Sequence, residues 1–430
     1  MKNPRMLWRL ALCAMIVLAG WWCLAGRNRP LPVLPEDSAL AAKLKDPAVI
    51  ARGRYLATLG DCASCHTAQG GQAYAGGRSL PTPFGSVPAP NITPDADTGL
   101  GRWRFDDFWR ALHEGIGREG EPLYPAFSYT SFTKVTRDDA LAIFAYLRSL
   151  PPVRRPSAAS GLRSPYNVRS ALAVWRAFYF KPGLYQPDRA QSMAWNRGAY
   201  LVQGLGHCNE CHAPRGAWGQ IATATPLSGG EIPAQEWYAP DLSTQAHGGL
   251  QGWNQQDIMD LLKTGQSPKG AAFGPMADVV ATSTQYLDDE DLHAIAVYLQ
   301  SLPARSLPAS SHSTLDSDSL TSRGGAIYAQ RCAACHGKDG LGVAGVYPPL
   351  DGNVSVVEPT GINATRAVLL GGFAPLTQAN PRPYSMPPYA QQLDDADVAA
   401  VVSYIRQAWS NHASTVQERD VIKYRHTPID

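Results

Sequence analysis

Cys208-Asn209-Glu210-Cys211-His212 is one of three copies of the pattern Cys-x-x-Cys-His in this chain. The other copies occupy residues 62–66 and 332–336. The pattern is typical of c-type haem attachment, because two thiols bond the porphyrin and the next histidine can bind its iron. The sequence therefore predicts three covalently bound haem c groups and an electron carrier. The predicted attachment residues are Cys62, Cys65, Cys208, Cys211, Cys332 and Cys335, and the predicted proximal iron ligands are His66, His212 and His336.

Pairs of cysteines with this spacing also occur in zinc sites and in thiol redox centres. Two of the pairs, Cys62/Cys65 and Cys208/Cys211, would be enough for one tetrahedral zinc site. In that arrangement the third cysteine pair, Cys332/Cys335, would have no role. Neither zinc nor disulfide chemistry requires a histidine directly after every second cysteine, so haem attachment is the favoured interpretation.

The composition indicates several small domains. The chain has 430 residues, enough for two to four domains, and its formal net charge is +2 without a long acidic or basic run. Nothing in this balance indicates a nucleic-acid partner. The 35 prolines and 39 glycines suit short helices joined by loops around a large flat cofactor. We therefore expect a mainly α-helical fold with Gly/Pro-rich loops.

The N-terminus has the features of an export segment. Lys2, Arg5 and Arg9 precede an apolar stretch at 10–25. This stretch is long for a cleaved signal and short for an ordinary membrane-spanning helix, so a signal peptide and an uncleaved anchor both stay open. Either alternative places the rest of the chain on the periplasmic side of the inner membrane.

The chain repeats one plan around its motifs. The sequence Arg-Gly-x-Tyr-Leu occurs at 52–56 and 197–201, and Arg-Gly recurs at 323–324. Similar helical endings occur at 145–151 and 297–303. The expected segments are a signal peptide or membrane anchor at 1–28, haem domains at 46–152, 191–304 and 321–410, an aromatic linker at 153–190 that packs against the domains, a Ser-rich linker at 305–320, and a polar tail at 411–430.

Two local details are also predicted. Thr136 is expected to cap the helix that follows it, with Asp138 and Asp139 in the positive first turn. The segment Tyr347-Pro348-Pro349-Leu350 follows the third motif at a distance from which a proline carbonyl could accept a hydrogen bond from Nδ1 of His336. Turn geometry is the alternative explanation for that proline.

Methionine is the expected sixth iron ligand of the second and third haems. Met276 and Met386 each lie in a loop before the last helix of their domain, where a thioether would raise the haem potential. The predicted iron ligands therefore also include Met276 and Met386.

The first haem domain departs from this pattern. When the first two repeats are superposed, Phe127 falls opposite Met276, and the first domain contains no methionine. Phenylalanine cannot bind iron. His113, Tyr124 and Tyr129 are weaker candidates, so we expect the first haem to be five-coordinate or atypically ligated, with a lower potential than the others.

Several motifs carry a family resemblance. The stretches at 89–95, 98–101, 123–126, 195–202 and 206–208 resemble the tri-haem cytochrome c subunit of bacterial membrane-bound dehydrogenases. That family serves quinoprotein, flavin-dependent and molybdopterin-dependent enzymes that oxidise alcohols, sugars, aldehydes and related substrates. The resemblance covers about residues 48 to 410. It implies three tandem class I cytochrome c domains.

The resemblance also implies partners. These are a large catalytic dehydrogenase subunit as electron donor, and ubiquinone or a terminal oxidase as acceptor. Similar Tyr-Pro-Ala-Phe sequences beside molybdopterin enzymes favour an aldehyde or N-heterocycle oxidising complex. Many members of the family have methionine where this chain has Phe127. The resemblance therefore does not imply that all three haems have histidine and methionine as iron ligands.

We expect substrate oxidation to occur in another polypeptide. The sequence has no Gly-rich nucleotide loop, no flavin fingerprint and no molybdenum cysteine set, and no catalytic residue is predicted. Two alternatives stay open. One is a peroxidase-like haem enzyme that uses an open first haem, and the other is a free periplasmic electron shuttle.

Overall fold

The computed structural model describes residues 30–31, 38–232, 234–243, 249–304 and 317–426. The predicted N-terminal signal or anchor at 1–28 lies outside these residues, as do residues 305–316 of the predicted Ser-rich linker. Within the described ranges, no helix has both the length and the apolar character needed to cross a membrane. The fold is mainly helical with short strands, as predicted.

The chain divides into two compact units, Met1–Leu56 with Cys65–Tyr185, and Ala57–Ser64 with Gln186–Asp430. The first haem repeat contains helices α1 to α6, the linker contains α7, and a three-stranded antiparallel sheet joins β1, β2 and β3. Their bounds are α1 Ser38–Lys43, α2 Pro47–Leu59, α3 Cys62–Cys65, β1 Ser79–Thr82, β2 Gly85–Pro88, α4 Phe105–Glu114, α5 Tyr129–Phe132, α6 Arg137–Ser149, β3 Gly161–Leu162 and α7 Leu172–Tyr179.

The second and third repeats lie together in the second unit, and their strands form three two-stranded antiparallel sheets. The elements of the second repeat are α8 Met193–Gln203, α9 Asn209–His212, β4 Ser228–Ile232, β5 Trp237–Asp241, α10 Gln255–Thr264, β6 Gln266–Ser267, β7 Gly270–Ala271, α11 Pro275–Thr282 and α12 Asp289–Gln300. Those of the third repeat are α13 Ser317–Arg331, α14 Ala333–His336, α15 Val354–Val357, α16 Ile362–Leu370, β8 Gly372–Phe373, β9 Ser385–Met386, α17 Asp395–Gln407 and α18 Glu418–Arg425.

In each repeat, a glycine in the helix before the motif lets that helix cross a later one at close range, and the crossing pairs are α2 with α6, α8 with α12, and α13 with α17. In the second repeat, a β-carbon added to Gly198 would lie 1.9 Å from the carbonyl oxygen of Ala294. Backbone atoms cannot move aside as a flexible side chain can, so only glycine permits this approach of α8 to α12. The corresponding distances are 1.8 Å for Gly53 and Ala142, 1.9 Å for Gly198 and Ala294, and 2.2 Å for Gly324 and Ala400.

An ion pair lies beside each of these crossings. The arginine that precedes each glycine binds an aspartate in the first turn of the helix that is crossed. The pairs are Arg52 with Asp139 at 2.5 Å, Arg197 with Asp291 at 2.6 Å, and Arg323 with Asp397 at 2.6 Å. Each aspartate also donates its backbone N–H to the N-cap side chain of its helix, including the predicted cap Thr136. The repeated Arg-Gly sequence is therefore explained by one recurring helix contact.

The aromatic linker packs against the first repeat, as predicted. Arg176 donates from Nη2 to the carbonyl oxygen of Glu114 at 2.5 Å, and the backbone N–H of Tyr185 donates to the carbonyl oxygen of Lys134 at 3.1 Å. Strand β3 extends the hairpin of β1 and β2. Apart from its last residues, the linker thus belongs to the first unit.

The C-terminal segment, predicted as a polar tail from its composition, carries helix α18 in the structure. Val416, Val421 and Tyr424 are buried in the core of the third repeat. Arg425 binds Asp395 at 2.5 Å, which fastens α18 to α17. Three well-spaced apolar side chains are enough for this packing, although they form no apolar run.

Candidate haem sites

The helical turn at the second and third motifs brings the cysteines and the histidine to one side. The backbone N–H of His212 donates to the carbonyl oxygen of Cys208 at 2.8 Å, and that of His336 donates to Cys332 at 3.0 Å. Residues four apart on a helix share a face. The first thiol and the imidazole are therefore placed to reach the same flat ligand.

A proline carbonyl binds the imidazole of all three motif histidines. Nδ1 lies 2.7 Å from the oxygen of Pro90 for His66, 2.7 Å from that of Pro240 for His212, and 3.1 Å from that of Pro348 for His336. Since a carbonyl can only accept, Nδ1 carries the proton and Nε2 keeps its lone pair. Each imidazole is thus held in the tautomer that an iron ligand requires.

The electrostatic surroundings also keep these imidazoles neutral. Burial lowers the pKa of His66, His212 and His336 below the usual value, while the hydrogen bonds to the proline carbonyls oppose that shift. A neutral imidazole can bind a metal ion, whereas an imidazolium cannot. The three rings are therefore suited to bind iron at neutral pH.

The predicted hydrogen bond between His336 and a proline carbonyl is confirmed, and the structure shows that Pro348 provides this carbonyl. The equivalent contacts of Pro90 and Pro240 were not predicted from the sequence. A signal was present, because Ala-Pro-Asn at 89–91 and Ala-Pro-Asp at 239–241 follow their motifs at comparable distances.

The second motif borders a cavity of about 230 Å³. Its lining is mostly apolar and includes Cys208, Cys211 and His212 on one side of the motif turn, together with the predicted ligand Met276. Met276 is the second residue of α11, which begins at a proline after Gly274. An apolar cavity that contains two attachment thiols, an imidazole and a thioether fits a covalently bound haem.

Segments outside the second repeat also line this cavity. They are Leu59 and Asp61 directly before the first motif, and Asn353, Val354, Ser355 and Asn363 of the third repeat. Asn363 makes two hydrogen bonds with the main chain of Tyr238, donating to its oxygen at 2.8 Å and accepting from its nitrogen at 3.0 Å. Tyr238 and Pro240 both lie on β5, and the carbonyl of Pro240 binds His212. The contact with Asn363 of α16 therefore helps to fix the position of β5.

Two polar contacts fix the second motif turn. Arg215 donates to the backbone oxygen of Glu210 at 2.7 Å and to its carboxylate at 2.8 Å. The side chain of Asn209 accepts from the backbone N–H of Leu227 at 2.9 Å. The variable residues between the two cysteines therefore have structural partners.

In the third repeat, Met386 and Cys332 both pack against the same apolar core, which contains Tyr328 and Leu369. Strand β9 places Met386 opposite Gly372. Tyr328 donates its hydroxyl to the carbonyl oxygen of Gly337, one residue beyond the motif, at 2.6 Å. Iron ligation by Met386 and by Met276 stays a prediction at this point.

The first repeat presents an aromatic side chain where the second has its methionine. Phe127 lies just before α5 and its ring is 5.5 Å from that of Phe132. His113, on α4, stacks on Trp109 with ring centroids 4.6 Å apart, and its Nδ1 lies 2.9 Å from the oxygen of Thr133. These contacts give His113 a structural role.

The first thiols of the second and third motifs differ from those of a reactive redox centre. All six motif cysteines are free of disulfide bonds. Burial, and the charge of the second cysteine of each pair, raise the pKa of Cys208 to about 12 and that of Cys332 to about 11. Reactive thiol centres have lowered pKa values. Within the described residues, no three His, Cys, Asp or Glu side chains cluster as metal ligands.

Comparison with known proteins agrees with this chemistry. The family model of cytochrome c matches residues 50–151, 196–303 and 321–409. The chain belongs to the cytochrome c family. Each matched range of this cytochrome contains one motif, and covalent attachment of haem c is the family's hallmark.

The cytochrome is similar to subunits of bacterial dehydrogenases. It is 38% identical over 409 residues to the cytochrome c subunit of the quinone alcohol dehydrogenase of Gluconobacter oxydans, covering 90% of this chain and 84% of that one. It is 37% identical over 410 residues to the gluconate 2-dehydrogenase cytochrome c subunit of Pantoea cypripedii, covering 90% and 92%. The family resemblance seen in the sequence is thereby confirmed.

A third relative has a different architecture. The cytochrome is 41% identical over 380 residues to a subunit of the nicotinate dehydrogenase of Pseudomonas putida. The match covers 85% of this chain but only 31% of that polypeptide. The same cytochrome region thus occurs within a longer chain.

Proposed function

We propose that this cytochrome carries three haem c groups and passes electrons from a catalytic dehydrogenase subunit to ubiquinone or a terminal oxidase. The observation that carries the proposal is the threefold site, in which every Cys-x-x-Cys-His motif has its histidine bound to a proline carbonyl. Haem iron supplies reversible one-electron transfer when it is bound. The chain supplies attachment, orientation and exclusion of water.

The residues have separate roles in this proposal. The cysteines of the motifs fix the porphyrin covalently. His66, His212 and His336 bind iron through Nε2, because the proline carbonyls occupy Nδ1. Met276 and Met386 are the proposed sixth ligands. Placement of Met276 in the same cavity as His212 supports its role.

The number of haems has a direct test. The mature chain is produced in a host with cytochrome c maturation machinery, and intact mass and visible absorption give the haem content per chain. Three haems are expected, and two in the double variant C332A/C335A. The same chain from a host without that machinery is the control. Fewer than three haems in the unaltered chain would contradict the proposal.

We also propose that the first haem lacks a methionine ligand. Phe127 supports this, since it replaces the methionine of the second repeat and has no donor atom. Phe127→Met offers a thioether to that iron. The variant is expected to show an additional methionine–iron absorption band and a higher potential for one haem. Methionine ligation of all three haems in the unaltered cytochrome would refute the assignment.

The electron donor is proposed from the relatives, which are named as subunits of alcohol, gluconate and nicotinate dehydrogenases. Its chemistry is that of an alcohol, aldehyde or N-heterocycle oxidation in a separate subunit. A two-electron oxidation must be split into single-electron steps, and several haems provide that division. The proposed location is the periplasmic side of the inner membrane.

Reduction kinetics can identify the donor. The oxidised cytochrome is mixed with a quinoprotein, a flavin or a molybdopterin dehydrogenase, each with its own substrate, and haem reduction is followed in a stopped-flow instrument. One class is expected to reduce the cytochrome only when its substrate is present, and a ubiquinone analogue should then reoxidise it. Failure of all three classes would contradict the dehydrogenase proposal. Turnover of peroxide without any partner would favour a haem enzyme instead.

A further inference from the structure

The linker region has an unusual charge distribution. No Asp or Glu occurs between Asp139 and Asp188, whereas the whole chain holds 36 of them against 38 Lys and Arg. The seven basic residues of this interval are Arg148, Arg154, Arg155, Arg163, Arg169, Arg176 and Lys181. The rest of the chain is therefore net acidic. Positive charge is concentrated on one segment of the first unit.

Few carboxylates lie near the basic side chains of this segment: Asp95 interacts electrostatically with Arg154, and Glu114 with Arg176, both without a close ion pair. Arg163 donates to the carbonyl oxygen of Pro83, Arg169 to that of Pro122 at 3.3 Å, and Arg176 to the backbone oxygen of Glu114 at 2.5 Å. Backbone carbonyls are neutral acceptors. In the described parts of the chain, none of the seven side chains forms an ion pair within 4.0 Å.

The same segment exposes large apolar side chains. The side chain of Phe178 is 78% exposed and that of Val174 is 51% exposed. They lie four residues apart on α7, so they share one face of the helix. The other exposed apolar side chains nearby are Tyr166, Val168, Tyr179 and Leu184. We call residues 163–184, with these apolar and basic side chains, the interfacial strap.

The interfacial strap is held in place from its other side. Ala173 is buried, and the backbone N–H of Gly183 donates to the hydroxyl of Thr133 at 2.9 Å. The guanidinium of Arg176 lies 5.7 Å from the ring centre of Phe180, over its face. The helix therefore presents Val174 and Phe178 outward from a fixed position.

We propose that the interfacial strap lies on an anionic phospholipid surface. Val174 and Phe178 would enter the boundary between headgroups and acyl chains, and the exposed side chains of Arg163, Arg169 and Lys181 would lie among the phosphates. Aromatic and aliphatic side chains flanked by uncompensated basic groups are the features of an interfacial helix. The segment itself has no carboxylate between Asp139 and Asp188, which favours lipid over a protein surface, where mixed charges usually rim the contact.

This inference rests on the proposed membrane location, but it does not depend on which dehydrogenase donates electrons. It also does not depend on the fate of residues 1–28, because it concerns a separate contact in the first unit. A local readout is needed, since another part of the chain can hold the protein on a vesicle without contact of the strap.

Hydrogen exchange of the full haem-loaded chain provides that readout. The chain is incubated with vesicles of phosphatidylcholine alone or with added phosphatidylglycerol, and exchange is measured by mass spectrometry in peptides that cover 166–184. We expect slower exchange with phosphatidylglycerol, and loss of this protection at high salt. Each basic group near an anionic surface strengthens binding about fivefold, so Lys181→Gln should weaken the local protection by about that factor.

The double variant V174S/F178S should remove the protection because it replaces the two outward apolar groups. Ile422→Ser, at a position 48% exposed on α18, is the matched control and should keep it. Unaltered reduction of V174S/F178S by a soluble reductant would show that the haem sites are intact. Equal exchange with neutral and anionic vesicles would overturn the inference. Protection that arises only on addition of a catalytic subunit would also overturn it, because the strap would then be a protein contact.

Discussion

Substitution of Gly324 by alanine tests whether the close helix crossing holds each haem repeat together. A β-carbon at Gly324 would lie 2.2 Å from the carbonyl oxygen of Ala400 and 2.7 Å from Cβ of Tyr404. The next residue, Gly325, provides a matched control on the same helix. Its β-carbon would meet only the ring of Tyr404, at 3.2 Å.

The expected cost follows from this geometry. A carbon atom and a carbonyl oxygen in contact are about 3.3 Å apart, so α13 and α17 would have to separate by roughly 1 Å. Overpacking of this kind costs about 3 kcal/mol, and the better helix propensity of alanine returns about 1 kcal/mol. The net loss for Gly324→Ala is therefore about 2 kcal/mol. For Gly325→Ala, the ring can shift, and the propensity gain should leave stability unchanged or slightly higher.

Native-state hydrogen exchange measures these changes in the haem-loaded chain without assuming that all repeats unfold together. Peptides from α13 and α17 should exchange about 30-fold faster in Gly324→Ala, which corresponds to about 2 kcal/mol. Peptides of the first repeat should be unaffected in both variants. Exchange of Gly324→Ala at the rate of the unaltered chain would refute the argument from the crossing, and so would equal acceleration by both substitutions.

Three further changes test single contacts. Met276→Leu should lower the potential of one haem, as measured by redox titration, and remove the methionine–iron absorption band of that haem. An unchanged absorption spectrum would exclude Met276 as an iron ligand. Asn363→Ala should raise the potential of the same haem, because a looser β5 weakens the hydrogen bond that makes His212 electron-rich. Redox titration checks this, and an unchanged potential would contradict it. Arg197→Met should destabilise the second repeat by about 1–2 kcal/mol, because the side chain of Asp291 is only 7% exposed and would lose its ion-pair partner. Native-state hydrogen exchange measures this loss, and exchange rates equal to those of the unaltered chain would contradict it.

Local patterns predicted a large part of these sites. The attachment motif is contiguous in sequence, so the chain itself places the thiols and the histidine on one turn. The cap at Thr136 depends on residues only three apart, and it is confirmed. A proline carbonyl of the segment 347–350 was predicted as the partner of His336 from its distance along the chain after the motif. Interactions of this range are visible without knowledge of the fold.

Contacts between distant segments were not visible in the same way. Pro90 and Pro240 follow their histidines by 24 and 28 residues, across a hairpin whose length differs between the repeats. Asn363 meets Tyr238 across 125 residues, and nothing local to either residue indicates the pairing. The C-terminal helix was missed because its packing depends on a few separated side chains rather than on a periodic run.

The repeats also show which parts of a haem domain are free to vary. The glycine crossing and the Nδ1 hydrogen bond recur in all three repeats because few alternatives could replace them. Only the hydrogen atom of glycine fits between the two helix backbones, and only the tautomer with a proton on Nδ1 leaves Nε2 able to bind iron. The sixth-ligand loop has no such constraint. In the proposed assignment, Met276 supplies an iron ligand, whereas Phe127 occupies the equivalent position of the first repeat and has no donor atom. Repeats that share the same helix contacts but differ in the side chain at the sixth-ligand position can hold haems of unequal potential. Three repeats would then favour electron flow in one direction rather than simply store more electrons.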